Sequence, residues 1–115
     1  MNVEAMEWAR AQTSLSILQK SILAFLASIA NDGMLVESES QKAIASAVGC
    51  SRSAANRALR ALELRGRIGI VRFFGVDDGQ LPCAYVLNCA EEEMSEGFAF
   101  HLLMEWHRRN RRRAA

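Results

Sequence analysis

The stretch SQKAIASAVGCSRSAANRALRALELRGRIGIVRF, residues 40–73, carries the start and stop signals of two successive helices. Ser40, or Ser38 as the alternative, can cap the first helix, and Gly49 ends it after only a few residues. Ser51, two residues later, is a fresh N-cap. The sequence therefore predicts two short helices separated by a tight turn.

The second of these helices is predicted to run to about Arg65, with Gly66 in the left-handed closing position. Apolar residues recur along it at helical spacing and predict a buried stripe: Ala55, Ala58, Leu59 and Leu62. At 100° per residue a polar group falls on the other side: Ser53, Asn56, Arg57 and Arg60. In the first helix Ile44 and Val48 are apolar, and Ala45 is small where the helices approach. Two helices packed around a glycine turn form a helix-turn-helix.

Charge is strongly segregated along the chain, although its formal net charge is only +1. Residues 42–72 contain seven basic residues and a single acid, Glu63. Residues 77–96 contain six acids and no basic residue. Residues 108–113 add five arginines. A solvated helix face usually mixes Glu with Lys, so a face of Arg, Asn and Ser favours contact with a polyanion.

The residues before this stretch predict further helices. Ser16 and Gln19 form a capping box, after which apolar residues recur at helical spacing until Asn31. These apolar residues are Leu18, Ile22, Phe25, Leu26 and Ile29. Residues 3–12 predict another helix, and residues 34–36 can form a very short strand.

After Gly66 the pattern becomes rich in β-forming residues. Residues 68–74 and 84–87, joined by a turn cluster at residues 75–82, predict a β-hairpin. Residues 90–109 then predict an amphipathic helix. Its apolar side consists of Phe98, Leu102, Leu103 and Trp106.

The run at residues 40–73 resembles the winged helix-turn-helix family of DNA-binding proteins: helix, turn, serine-capped helix, leucine pair, glycine and apolar strand. The segment PCAYVLN, residues 82–88, is similar to the second wing strand of that family. The segment AMEWARAQ, residues 5–12, resembles one that precedes this fold in some plasmid and phage replication and regulatory proteins. The resemblance covers residues 16–88.

The resemblance implies an α+β fold, with a three-helix core, a β-hairpin wing and additional helices at both ends. We expect an N-terminal helical extension at residues 1–13, a winged helix-turn-helix DNA-binding domain at 14–89 and a C-terminal amphipathic helix with a basic tail at 90–115.

The resemblance also implies which residues meet double-stranded DNA, with the helix at about residues 51–65 in the major groove. The expected contacts from this helix are Ser51, Arg52, Ser53, Asn56, Arg57 and Arg60. Arg67 and Arg72 flank the wing and would contact the DNA backbone, and Lys42 is a further basic candidate. Arg65 is favoured in the last helical turn by the helix dipole alone.

The wing tip, the C-terminal arginines and the helix at residues 90–109 each leave alternatives open. Wing tips in this family are often basic, but this one carries Asp77 and Asp78, which argues against a phosphate clamp at the tip. These acids either face a partner chain or keep the turn soluble. The arginines of residues 108–113 are either a solubilising end or a non-specific grip on phosphate. The apolar side of residues 90–109 is either core or a dimer seam, and we expect a homodimer.

Composition and spacing disfavour several other classes. Three cysteines without a CxxC motif predict thiols in a reducing compartment. No apolar run approaches the roughly 18 residues of a membrane span, and the N-terminus lacks the basic start of a signal peptide. We therefore expect a cytoplasmic protein that does not contact a membrane.

Four residues are of the types that bind zinc: Cys83, Cys89, His101 and His107. Histidines six apart on a helix point about 120° away from each other, and cysteines at opposite ends of one strand are too distant to chelate together. We expect no metal, no cofactor and no small-molecule effector. The chain also lacks a glycine-rich phosphate loop and a nucleophile-base pair, so we expect no enzyme.

The leading hypothesis is a small transcriptional repressor from a bacterium, plasmid or phage. One alternative is a plasmid or phage replication or partition accessory that binds origin DNA. Another is a winged-helix module that binds protein instead of DNA.

Overall fold

The computed structural model describes residues 2–31, 33–72 and 83–88. These ranges hold four helices and one three-stranded antiparallel sheet, so the fold class is α+β. The order along the chain is α1 (Val3–Ala11), α2 (Ile17–Ile29), β1 (Leu35–Glu39), α3 (Gln41–Val48), α4 (Arg52–Leu64), β2 (Ile68–Val71) and β3 (Cys83–Leu87). This architecture is compatible with a winged helix and is not specific to it.

Several features predicted from the sequence lie outside the described residues. They are Asp32, the hairpin turn with Asp77 and Asp78, Cys89, the apolar side formed by Phe98, Leu102, Leu103 and Trp106, the histidines His101 and His107, and the arginines of residues 108–113.

The predicted helix starts are confirmed by side-chain caps. Ser16 Oγ accepts a hydrogen bond from the Gln19 amide at 3.1 Å, and the Gln19 side chain accepts one from the Ser16 amide at 3.2 Å, which completes the capping box. Ser40, the nearer of the two candidates, caps α3 through the Ala43 amide at 3.0 Å. Ser51 caps α4 in the same way. Each cap satisfies a backbone donor that the helix itself leaves without a partner.

The predicted helix stops at two glycines are confirmed as well. Gly49 has a φ of 76° and Gly66 a φ of 72°, the left-handed region that glycine adopts without steric cost. The amides of Gly49 and Cys50 both bond to the Ala45 carbonyl at the end of α3. After α4 the Gly66 amide bonds to the Glu63 carbonyl. The chain therefore turns sharply after each helix, and only three residues separate the end of α3 from the start of α4.

The sheet has the strand order β1-β3-β2, with both neighbouring pairs antiparallel. β2 and β3 form the predicted hairpin pair, in which Ile68 lies opposite Leu87 and Ile70 lies opposite Tyr85. β1 packs on the other side of β3, with Val36 opposite Tyr85.

The predicted strand at residues 34–36 was placed wrongly, because β1 spans Leu35–Glu39. Met34 lies in the preceding turn, where its amide bonds to the Asn31 carbonyl and its φ is 61°. The polar end of β1 is extended because it pairs with β3, so that Glu39 lies opposite Cys83. Pairing with a strand so distant in sequence leaves no periodic signal in β1 itself.

One continuous core lies between the helices and one face of the sheet. The helices supply the largest share: Ala5, Ala9, Ile22, Leu23, Leu26, Ala27, Ala30, Ile44, Ala45, Ala55, Ala58, Leu59 and Leu62. The sheet supplies Val36, Ile68, Cys83, Tyr85 and Leu87. Because α4 contributes four residues at helical spacing, its predicted buried stripe is confirmed.

Helix α1 is part of this core. Ala5 and Ala9 are buried against the other helices. Asn2 caps α1 by accepting a hydrogen bond from the Ala5 amide at 3.0 Å, and its side-chain nitrogen donates to the Asn31 carbonyl at 2.6 Å. The start of α1 is thereby fixed to the turn between α2 and β1.

Two leucines of α4 allow a matched test of this packing. Leu62 is fully buried, whereas Leu64 is 82% exposed. We expect Leu62→Ala to lower the free energy of unfolding by about 2–5 kcal/mol through lost burial and the cavity left behind. Leu64→Ala should change it by less than about 0.5 kcal/mol. Urea unfolding followed by circular dichroism measures both, and equal losses would contradict this packing.

Tyr85 places a hydroxyl group inside the core. Its side chain is fully buried, and among the described residues no hydrogen bond of ordinary geometry satisfies the hydroxyl. Burial raises the pKa of the Tyr85 hydroxyl above its ordinary value, and the nearby Cys83 thiol adds to the rise. The folded protein therefore holds this tyrosine in its neutral form.

Alkaline titration tests the position of Tyr85, which is the only tyrosine of the chain. Because the pKa is raised in the folded state, the fold loses stability as the pH rises above about 10, the value for an unfolded tyrosine. Tyrosinate absorbance should therefore appear together with unfolding and not before it. Tyr85→Phe should remove this contribution to the alkaline loss. Ionisation of Tyr85 near pH 10 (about its ordinary value) in a still folded chain would show that the hydroxyl is accessible.

Candidate nucleic-acid interface

Helix α4 presents two chemically different sides. One side carries the buried stripe and packs on α3, α2 and β2. The side chains of the other side are exposed to solvent: Ser53, Arg57 and Arg60. Arg52, in the first turn, is exposed as well. Taking Ala55 as zero, Ser53, Arg57 and Arg60 lie at about 160°, 200° and 140° around the helix. The packing of the stripe therefore turns these donors away from the core.

The arginines at the exposed positions of α4 have no partner within the described ranges. Arg52, Arg57 and Arg60 form no hydrogen bond or ion pair with any other residue there. Lys42, in the first turn of α3, is also exposed. Among residues 2–31, 33–72 and 83–88, therefore, no contact of the three arginines has to break before they bind an external anion.

The single acid of α4 is neutralised by a residue outside the helix. The Arg72 guanidinium donates to both carboxylate oxygens of Glu63, with N to O distances of 3.1 and 3.2 Å. The hydrogen bond to Glu63 raises the pKa of the Arg72 guanidinium, which therefore stays charged. Glu63 thus faces Arg72, and among the described residues no acid pairs with the exposed arginines of α4. Sequence reasoning missed this pair, and it placed Arg72 among the DNA contacts.

Arg65 has a structural contact that the sequence did not reveal. Its guanidinium donates a hydrogen bond to the Ser14 carbonyl in the loop between α1 and α2. The prediction that the helix dipole alone favours Arg65 at this position was therefore wrong. Because this contact joins residues 51 positions apart in sequence, no local pattern indicates it.

Arg67 lies directly after the Gly66 turn and is half-buried. Its amide bonds to the Leu62 carbonyl at 3.0 Å, and its carbonyl accepts a hydrogen bond from the Asn88 amide at 2.9 Å. The side-chain Nε is buried and has no hydrogen-bond partner within the described ranges. Arg67 thus joins the end of α4 to the end of β3.

Asn56 lies at the edge of the exposed side and is half-buried. Gln41 Nε2, at the start of α3, donates a hydrogen bond to Asn56 Oδ1 at 3.1 Å. The two residues are 15 positions apart, and the contact crosses the turn between the helices. Sequence reasoning named Asn56 and missed Gln41.

The exposed side of α4 is not purely polar. Leu64 lies at about 180° from Ala55, on the same side as Arg57, and is 82% exposed. It stands at the last helical position, close to the turn at Gly66. The donors therefore occupy the first three turns of the side, and an apolar residue ends it.

The described ranges contain neither a candidate metal site nor a candidate membrane span. No three His, Cys, Asp or Glu side chains there form a group that could hold a metal ion. Among the helices of the same ranges, none combines the length and apolar character needed to cross a membrane. Cys50 and Cys83 are thiols and do not form a disulfide.

Comparison of the chain with models of protein families, with curated proteins and with solved structures gives no match.

The ion pair of Glu63 and Arg72 predicts a small contribution to stability. The two side chains are 16% and 36% exposed, so solvent screens much of their attraction. We expect Glu63→Gln to lower the free energy of unfolding by about 0.2–1 kcal/mol at low salt and by less at high salt. Urea unfolding at two salt concentrations measures the change. A loss that does not depend on salt would indicate packing as its source.

Proposed function

We propose that this protein is a winged helix-turn-helix protein that binds double-stranded DNA sequence-specifically and acts as a small transcriptional repressor. The observation that carries the proposal is the exposed side of α4, where Ser53, Arg57 and Arg60 lie opposite a buried apolar stripe, together with the exposed Arg52 in the first turn. Arginine donates two parallel hydrogen bonds, which suits guanine O6 and N7 and also phosphate.

The fold around α4 supports this proposal. Two short helices joined by a glycine turn are followed directly by an antiparallel strand pair. A third strand, β1, precedes the two helices and pairs with β3. This is the order that the resemblance of residues 16–88 to winged helix-turn-helix proteins implies.

In the proposed complex α4 lies in the major groove, which is wide enough to admit a helix. Arg57, Arg60, Ser53 and Asn56 face base edges, and Ser51, Arg52 and Lys42 face phosphates at the groove margin. Arg67 is a further candidate for the DNA backbone. Arg72 is also a candidate for the DNA backbone, because its guanidinium keeps free N–H donors while it bonds to Glu63.

Repression in this proposal needs no further chemistry, since a protein that occupies an operator excludes polymerase. A homodimer would prefer inverted half-sites about 34–36 Å apart, or a multiple of that distance. The proposed dimer contacts are Phe98, Leu102, Leu103 and Trp106, and the proposed compartment is the cytoplasm.

Selection of bound sequences from a random duplex pool, at physiological salt, tests the proposal as a whole. A repressor of this kind should enrich one motif with two-fold symmetry. Enrichment of tandem sites would favour a replication or partition role instead. No binding to any duplex would overturn the proposal and favour a module that binds protein.

A pair of arginine variants tests the assignment of α4. We expect Arg57→Ala to weaken binding to the selected site by about 1–3 kcal/mol and to relax preference at one base pair. Arg10→Ala removes an equally exposed arginine from α1 and should leave that preference unchanged. Fluorescence anisotropy on matched duplexes measures both. If Arg57→Ala bound as tightly as the parent protein, α4 would not be the recognition helix.

A further inference from the structure

We infer that the second face of the sheet is a docking surface for the amphipathic segment of the same chain, residues 90–109. The helices cover the first face, which carries Val36, Ile68, Cys83, Tyr85 and Leu87. The second face carries the residues that alternate with these along the strands: Leu35, Gly69, Val71, Ala84 and Val86. The inference goes beyond the proposed function, and its test needs no DNA.

The paired residues of the second face are all apolar. Leu35, Val86 and Gly69 form one row across the three strands, and Ala84 and Val71 form the next row. An antiparallel sheet with one face in water usually alternates apolar and polar residues along each strand. The strand β3 does not alternate in this way, and all five of its residues are buried. The composition of the sheet is therefore that of a layer covered on both faces.

The second face is buried, although the helices do not cover it. Val71, Ala84 and Val86 are 7%, 1% and 9% exposed. Among the described residues, however, the core that the helices form includes no member of the second face, and none packs against it. A valine on the open face of an edge strand would remain in contact with water. Because this burial occurs in a single copy of the chain, we infer that the covering layer belongs to the same chain.

Residues 90–109 are the part of the chain that suits this layer. Outside the described ranges only residues 73–82 and 89–115 are longer than one residue. Residues 73–82 connect the neighbouring strands β2 and β3 and contain a turn cluster, whereas residues 90–109 have the pattern of an amphipathic helix. A helix of that length spans about 30 Å, and a five-residue strand is about 17 Å long. The segment is therefore long enough to cross the whole sheet.

The end of β3 supports a return of the chain over this face. Asn88 follows β3 with a φ of 54°, a left-handed conformation that ends the extended strand. Its amide bonds to the Arg67 carbonyl at 2.9 Å. Arg67 precedes Gly69 by two positions, the spacing of residues on one face, and its buried Nε has no partner among the described residues. Buried donors are normally hydrogen-bonded, and residues 91–93 are glutamates that can supply the acceptor.

Three apolar residues of the segment share one side of the expected helix. Taking Phe98 as zero, Leu102 and Trp106 lie at about 40° and 80°, so they form a stripe that fits an apolar sheet face. Leu103 lies at about 140° and is left for a second copy of the chain. The inference thus narrows the proposed dimer contact to Leu103 and assigns the other three residues to the sheet.

Double-mutant cycles in the full chain test the contact between the second face and the segment. Val71→Ala and Val86→Ala are each combined with Phe98→Ala, Leu102→Ala and Trp106→Ala. For at least one pair we expect the equilibrium constant of unfolding to rise at least about threefold less than the product of the two single effects. Leu62→Ala is the matched control, since it truncates a buried residue of the helical core. Its effect should multiply with that of each segment variant.

Urea unfolding followed by circular dichroism, at two protein concentrations, measures these cycles. Coupling of equal size at both concentrations supports cover within one chain. Coupling found only at the higher concentration, where light scattering shows a dimer, would assign the cover to a second copy and overturn the inference. Additive effects in every cycle would overturn it as well.

A milder substitution keeps the test valid where an alanine variant does not fold. Val86→Thr retains the branched shape and adds a hydroxyl, which a strand face in water tolerates. On a covered face the hydroxyl loses its hydrogen bonds to water, so we expect the equilibrium constant of unfolding to rise roughly tenfold. An unchanged constant would show that the second face is open and would overturn the inference.

Discussion

The burial of one apolar stripe on α4 fixes the direction of the other side chains of that helix. The stripe begins with two small residues, Ala55 and Ala58, and continues with two large ones, Leu59 and Leu62, and all four are buried. Helix α4 packs on α3, where Ala45 is buried as well, and all five residues belong to one close-packed core. A helix of 13 residues is marginal in water by itself, so this packing also holds α4 in helical form.

The sequence predicts the features whose causes lie within a few residues. Caps at Ser16 and Ser51 and stops at Gly49 and Gly66 depend on neighbours three to five positions away, and the structure confirms each of them. The buried stripe of α4 is predictable for the same reason, since helical spacing is a local property. Strand β1 is different, because its polar end is extended only through pairing with β3.

Two hydrogen bonds made by residues of α4 and its C-terminal cap join residues far apart in the chain, and the sequence does not indicate them. Gln41 meets Asn56, and Ser14 meets Arg65, only after the helices have packed. The charge pattern of residues 42–72 does not show which arginines have partners within the fold. The structure separates them into those that hold the fold together and those that remain exposed on α4.

The pairing of Glu63 with Arg72 keeps the one acid of α4 away from the arginines of its exposed side. Glu63 lies at about 80° from Ala55, near the margin between the buried stripe and the exposed side. Without a partner its carboxylate could reach back along the helix to Arg60, three positions earlier, as acids and arginines at this spacing do. Arg72, which follows β2, donates to both carboxylate oxygens and so holds Glu63 towards the sheet. One arginine at the end of a strand therefore keeps the exposed side of α4 basic, and within the described ranges Arg57 and Arg60 have no acidic partner.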